Sequence, residues 1–104
     1  MLISFGKNWM RFLNDAGNIL AYINMANISH IKVELVTSSN KEYKSKILLY
    51  KTANVNYGIS HFSGKDGEVQ LEIDEGPEGI VILVSAPNES IHSYFIARLQ
   101  NISE

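Results

Sequence analysis

Short apolar runs alternate with clusters of turn-forming residues along this chain, and the apolar period changes near its end. The sharpest alternation is at 68–74. There Val69, Leu71 and Ile73 take one phase and Glu68, Gln70, Glu72 and Asp74 the other, which predicts a strand with one buried face. Residues 28–37 alternate in the same way, with Ser29, Ile31, Val33 and Leu35 opposing Ile28, His30, Lys32 and Glu34. In 44–51, Ile47 and Leu49 share a phase opposite Lys44, Lys46, Leu48 and Tyr50. Residues 19–25 are fairly apolar on both phases, since Leu20 and Tyr22 oppose Ala21 and Ile23. Residues 80–84 (IVILV) have no polar phase at all, and four of the five are β-branched. Such a run predicts a strand buried on both sides.

Beyond that strand the period lengthens. Pro87 cannot donate to a ladder and biases Ala86 toward extended geometry, so the strand stops there. Asn88 is a good N-cap, and Glu89 meets the positive end of a helix. Ile91, Tyr94, Phe95, Leu99 and Ile102 recur at spacings of three and four, predicting a helix over about 88–102 with one apolar stripe.

Turn residues divide what lies upstream. Residues 2–5 and 9–13 flank Gly6-Lys7-Asn8, giving one bulged strand or two short ones. Residues 14–18 (NDAGN) reverse the chain, Ala26-Asn27 forms a tight turn, and 38–43 is a polar loop. Thr52-Ala53-Asn54 leads into a strand at 55–62, where Val55, Tyr57 and Ile59 point together. Residues 63–67 (SGKDG) form a hairpin loop, and 75–78 (EGPE) turns the chain into the all-apolar strand.

About seven strands in hairpin-length steps, closed by one helix, predict a mainly β (α+β) domain spanning residues 1–104. Short connections favour an antiparallel meander, built as a small barrel or a two-sheet sandwich, with the C-terminal helix plugging one end or covering one face. This order of elements resembles the pleckstrin-homology-like superfold. The resemblance implies architecture alone, with no ligand or site attached. A single curved sheet with the helix on its concave side is the alternative.

Charge changes the picture only in its distribution. The net charge is −2, yet residues 1–65 carry eight Lys or Arg against three acids, and residues 66–104 carry Arg98 against eight acids. Either the halves neutralise one another in the fold, or the molecule presents opposed charged faces that steer a partner. With no cysteine there is no disulfide framework and no thiolate chemistry. Residues 1–5 are too short for a signal peptide and no run approaches a membrane span, so a cytoplasmic location and no membrane partner are expected.

Candidate chemistries narrow quickly. His30, His61 and His92 show no His-x-x-x-His spacing, so no metal site is expected; His30 shares a face with Lys32 and Glu34, and His61 continues the inward phase of Tyr57 and Ile59 at a strand end. No G-x-S-x-G elbow is present, and Asp74, Glu75 and Glu78 sit by a solvated Gly-Pro loop rather than in an apolar pocket. The strand-to-helix corner lacks glycine and carries Glu89, which repels a phosphate, and no alternation of helices supports a Rossmann-type nucleotide fold. Lys41, Tyr43, Lys44, Lys46, Tyr50, Lys51 and Tyr57 interleave bases with aromatics, but their strand phases disagree and the acidic half dilutes the field, so nucleic acid is not an expected partner.

Binding by surface remains. More apolar surface is present than one side of a sheet needs, which a barrel interior or a contact with another chain would absorb. The reading that follows is a non-enzymatic, cofactor-free module that binds a protein and regulates or inhibits it. Its contact residues are Tyr43, Lys44, Lys46, Leu48 and Tyr50, and an exposed sheet edge offers a route to a homodimer. A second reading is a protein that binds or sequesters a small, nucleotide-like ligand in a barrel mouth or dimer cleft lined by Trp9, Tyr57 and His61. A third is a hydrolase whose site is assembled only in three dimensions.

Overall fold

The computed structural model describes residues 2–52, 59 and 61–103. Among them are eight strands: β1 (Leu2–Phe5), β2 (Trp9–Leu13), β3 (Ile19–Asn24), β4 (Ile28–Ser38), β5 (Tyr43–Lys51), β6 (His61–Asp66), β7 (Val69–Glu75) and β8 (Gly79–Ala86). A single 3-10 turn, Met25–Asn27, joins β3 to β4, and the helix α1 (Glu89–Ser103) closes the chain. Gly6-Lys7-Asn8 therefore separates two short strands. No helix among the described residues is long and apolar enough to cross a membrane.

Two antiparallel sheets result, not a closed barrel. The first has the order β1-β2-β3, the second β4-β5-β8-β7-β6. The simple meander fails at one place: β8 inserts between β5 and β7, and segment 52–60 joins β5 to the far edge strand β6. The physical reason lies in composition. The strand of five consecutive apolar residues takes the centre, and the polar β4 and β6 take the edges, where charge discourages stray pairing. The predicted strand at 55–62 lies mostly outside the described residues.

Local chemistry accounts for the element ends. Asn88 Oδ1 accepts from Ile91 N at 3.0 Å, capping α1 as predicted. Asn24 Oδ1 accepts from Ala26 N at 3.0 Å and starts the 3-10 turn. The β6–β7 hairpin is tighter than the expected five-residue loop. Ser63 to Asp66 are paired strand residues, and the reversal falls on Gly67, whose φ of 57° is left-handed backbone.

The core joins every layer. Ile47, Leu49, Ile73, Ile80, Ile82 and Val84 from the five-stranded sheet meet Met10, Phe12, Ala21 and Ile23 from the three-stranded sheet and Phe95 and Leu99 from the helix. Helix and three-stranded sheet share the inner face of the larger sheet. Phe12 lies against Phe62 with ring centroids 5.5 Å apart, and Phe5 meets Phe95 edge-on at 6.1 Å. On the helix, Ile91, Phe95 and Leu99 point inward with Ile96 beside them. Tyr94 leaves the predicted stripe and is exposed, lying near Arg98, which also covers Phe5.

At the start of β8, Gly79 sits opposite Tyr50, where a side-chain methyl would run into the Leu49 carbonyl oxygen. Neither strand can yield without breaking the ladder. We predict that Gly79→Ala lowers stability by about 1–3 kcal/mol in urea melts. Gly76→Ala is the control: its nearest neighbour would be the Gly79 oxygen at an ordinary 3.5 Å, and its expected change is within about 0.5 kcal/mol. Equal effects at the two positions would refute this account of the close approach.

Candidate functional site

Strand parity decides which side chains share the open face of the larger sheet. Inward residues of β5 are Ser45, Ile47 and Leu49; outward ones are Lys44, Lys46, Leu48 and Tyr50. Ladder register then extends that face across five strands. One row runs Lys32, Leu48, Val81, Asp74, His61; the next runs Glu34, Lys46, Leu83, Glu72, Ser63. A third contains Lys44, Ser85, Gln70 and Lys65. Leu48, Val81 and Leu83 are half-buried by their neighbours, and among the described residues no element packs over them.

Four of the five predicted contact residues, Lys44, Lys46, Leu48 and Tyr50, therefore stand together. Tyr50 stacks on His30, with ring centroids 3.9 Å apart. Tyr43 does not join them. It has the parity of Ser45 and turns to the helix side, 5.9 Å from the His92 ring. A groove of about 410 Å³ crosses the face between Lys44, Lys65, Gln70, Glu72 and Leu83. A smaller one of about 160 Å³ lies by Lys46, Leu48, Pro77 and Val81.

The residues of the second reading are separated. Trp9 lies in the three-stranded sheet under the Arg11 guanidinium at 4.1 Å, whereas His61 is exposed on the outward face of β6. Phe62, not His61, takes the inward phase there. Tyr57 lies outside the described residues. Another apolar surface, Leu2, Ile19, Leu20 and Tyr22, is exposed on the three-stranded sheet.

Two side-chain clusters escaped sequence reasoning because their members are distant in the chain. His61 Nδ1 and Asp74 Oδ1 are 2.7 Å apart, and Glu72 stands nearby. The hydrogen bond to Asp74, then the charges of Asp74 and Glu72, raise the His61 pKa above its ordinary value of 6.5. One nitrogen and two carboxylate oxygens lie within 4.8 Å of one another, the donor set of a divalent cation. All three residues lie at the surface, and the hydrogen bond between His61 and Asp74 already satisfies that pair.

The other cluster ties helix to sheet. Ser45, fully buried, is hydrogen-bonded through Oγ to His92 Nε2 at 2.5 Å. A serine beside a histidine is the start of a nucleophilic dyad, but five surface cavities among the described residues are all lined by other residues, and Ser45 is fully buried. The pair is better suited to holding α1 in place. Burial lowers the His92 pKa, with the Glu89 charge opposing weakly.

These two histidines have opposite linkage signs. His92 binds a proton less readily folded than unfolded, so its contribution is present above about pH 6.5 and is lost as pH falls below it. Asp74 raises the His61 pKa, so the contribution of His61 is present below pH 6.5 and lost as pH rises through its folded pKa. Solvent exposure makes the His61 effect small. We predict that stability declines from pH 6.5 toward 5 and that His92→Gln flattens this slope, whereas His61→Ala leaves it in place. An unchanged slope in His92→Gln would show that other groups set it. Comparison with protein-family models, curated proteins and solved structures finds no match to this chain.

Proposed function

We propose that this chain is a non-enzymatic protein-binding module that regulates or inhibits its partner, and that the outer face of the five-stranded sheet is its contact surface. One observation carries the reading. The central strand β8 is apolar on both phases, yet among the described residues only one is covered: Ile80, Ile82 and Val84 are fully buried, and the half-buried Val81 and Leu83 face outward beside Leu48. An all-apolar strand suits a sheet covered on both sides. A protein partner supplies the missing cover.

Chemistry around this apolar midline fits a protein more than a nucleic acid. Lys32, Lys44, Lys46 and Lys65 share the face with Glu34, Glu72 and Asp74, so a polyanion would meet repulsion as well as attraction. A mixed polar rim about an apolar centre is the usual anatomy of a protein interface. The reading rests on this face and not on the pleckstrin-homology-like order of elements, which specifies no ligand.

The test is affinity capture from the native cell with quantitative mass spectrometry. Leu48→Asp and Leu83→Asp, on the exposed phase, are expected to reduce recovery of a stoichiometric partner at least about tenfold, as loss of a central contact does. Leu20→Asp on the other sheet is expected to leave it unchanged. Dependence on Leu20 alone would move the contact surface to the three-stranded sheet, and release of a small molecule in place of a protein would sink the protein-binding reading.

A further inference from the structure

The charges on the outer face are sorted by strand. On the β4–β5 side stand Lys32, Lys44 and Lys46, with Glu34 the one acid; on β7 stand Glu72 and Asp74. Between them run Leu48, Val81 and Leu83. The outermost strand β6 adds His61, engaged by Asp74, and Lys65 at the far end. A surface with a basic flank, an apolar midline and an acidic flank is complementary to itself.

We infer that the chain covering this face is a second copy of the same molecule, docked sheet to sheet about a two-fold axis parallel to β8; the inference rests on the protein-binding reading of the face. Such an axis lays Val81 and Leu83 on their own copies. Because Lys46, Leu83 and Glu72 occupy one row, it also sets each Lys46 opposite the other copy's Glu72. The same operation sets Lys32 opposite the other copy's His61 and Leu48 opposite its Asp74, so Lys46–Glu72 is the direct charge pair of the arrangement. The groove bordered by Leu83 and Glu72 receives the incoming lysine, its stem on the leucine and its ammonium at the carboxylate. A two-fold axis perpendicular to the strands and passing through the Leu83 row would instead lay β5 on β5, with Lys46 on Lys46 and Glu72 on Glu72. Charge thus selects one isologous arrangement, in the aligned class of sheet packing.

Size bounds the affinity. Five strands at about 4.8 Å spacing and about seven residues of length present a face of roughly 24 by 23 Å. Two copies bury roughly 1,100 Å² in total, near the lower limit of a specific interface, so association is reversible and concentration-dependent.

Sedimentation equilibrium over roughly 1 μM to 1 mM, the range suited to an interface of this size, tests the inference. The unsubstituted chain is expected to pass from monomer to dimer. Lys46→Glu and Glu72→Lys alone are each expected to weaken association at least about tenfold by opposing like charges. An equimolar mixture of the two variants is expected to recover it, because both crossed pairs become attractive; the double variant does the same. Both positions are exposed, and thermal melts verify that the variants fold. A chain that stays monomeric throughout overturns the inference, as does a mixture that associates no better than its components. If the chain is monomeric and Leu48→Asp still abolishes capture of a different protein, the copy is the wrong occupant and the protein-binding reading stands. If the charge swap governs dimerisation and no other protein is captured, the copy is supported and regulation of a separate partner falls.

Discussion

The constraint on which the rest of the molecule depends is the central place of β8. Five consecutive apolar residues cannot lie at a sheet edge without exposing both their side chains and their unpaired backbone. They are accommodated between β5 and β7, fully paired on both sides. That position forces the chain to abandon nearest-neighbour order, because β7 and β8 form a hairpin while β5, earlier in sequence, must lie on the other flank of β8. Gly79 allows the first residue of β8 to come against the Leu49 backbone, so the requirement for a missing side chain follows from the same pairing. Edge strands are then what remain. β4 is interrupted by register shifts at both ends, and β6 carries Ser63, Gly64 and Lys65, all poor templates for further pairing.

Once the larger sheet is set, its inner face needs a second layer, and two different elements share that task. The three-stranded sheet contributes Met10, Phe12 and Ile23, and the helix contributes Phe95 and Leu99. Apolar packing alone leaves a helix free to slide along its axis or to rotate. Ser45 and His92 remove that freedom, because a buried hydroxyl left without its partner would cost about 1–3 kcal/mol. The hydrogen bond therefore contributes less through its own net strength than through the cost of every alternative helix register. Asn88 at the other end of the same turn fixes where the helix begins, so cap and buried bond together set its position.

Local features were legible because the residues that determine them are neighbours in sequence. The alternation of β7, the Asn88 cap and the parity that puts Lys44, Lys46, Leu48 and Tyr50 on one face all follow from periods of two or from single turns. Tyr43 shows how narrow that information is. One residue of strand start changes it from a loop residue to an inward one, and it parts from the group it was expected to join. Tyr94 was assigned to the helix stripe by spacing, but the angular window of contact runs instead through Ile91, Phe95 and Leu99 toward Ile96. The insertion of β8, the Ser45–His92 bond and the His61–Asp74 pair depend on which strands become neighbours, and no local period encodes that. The all-apolar run was a partial exception: its composition predicted burial on both sides, and the described residues provide it on one.

That shortfall is what the proposed function rests on. Val81, Leu83 and Leu48 are only half-buried, so part of their apolar area gains no cover among the described residues and invites nonspecific contact. The surrounding lysines and acids temper that hazard, since desolvating an unmatched charge opposes any partner that does not supply its complement. An apolar midline alone would bind many surfaces weakly. Flanked on one side by Lys46 and on the other by Glu72, in register with Leu83 between them, it favours surfaces whose charges alternate at the same spacing. The ladder register that stabilises the sheet internally thereby also sets the spacing of its outward charges, and on the proposed reading the specificity of the face follows from the pairing that builds the fold.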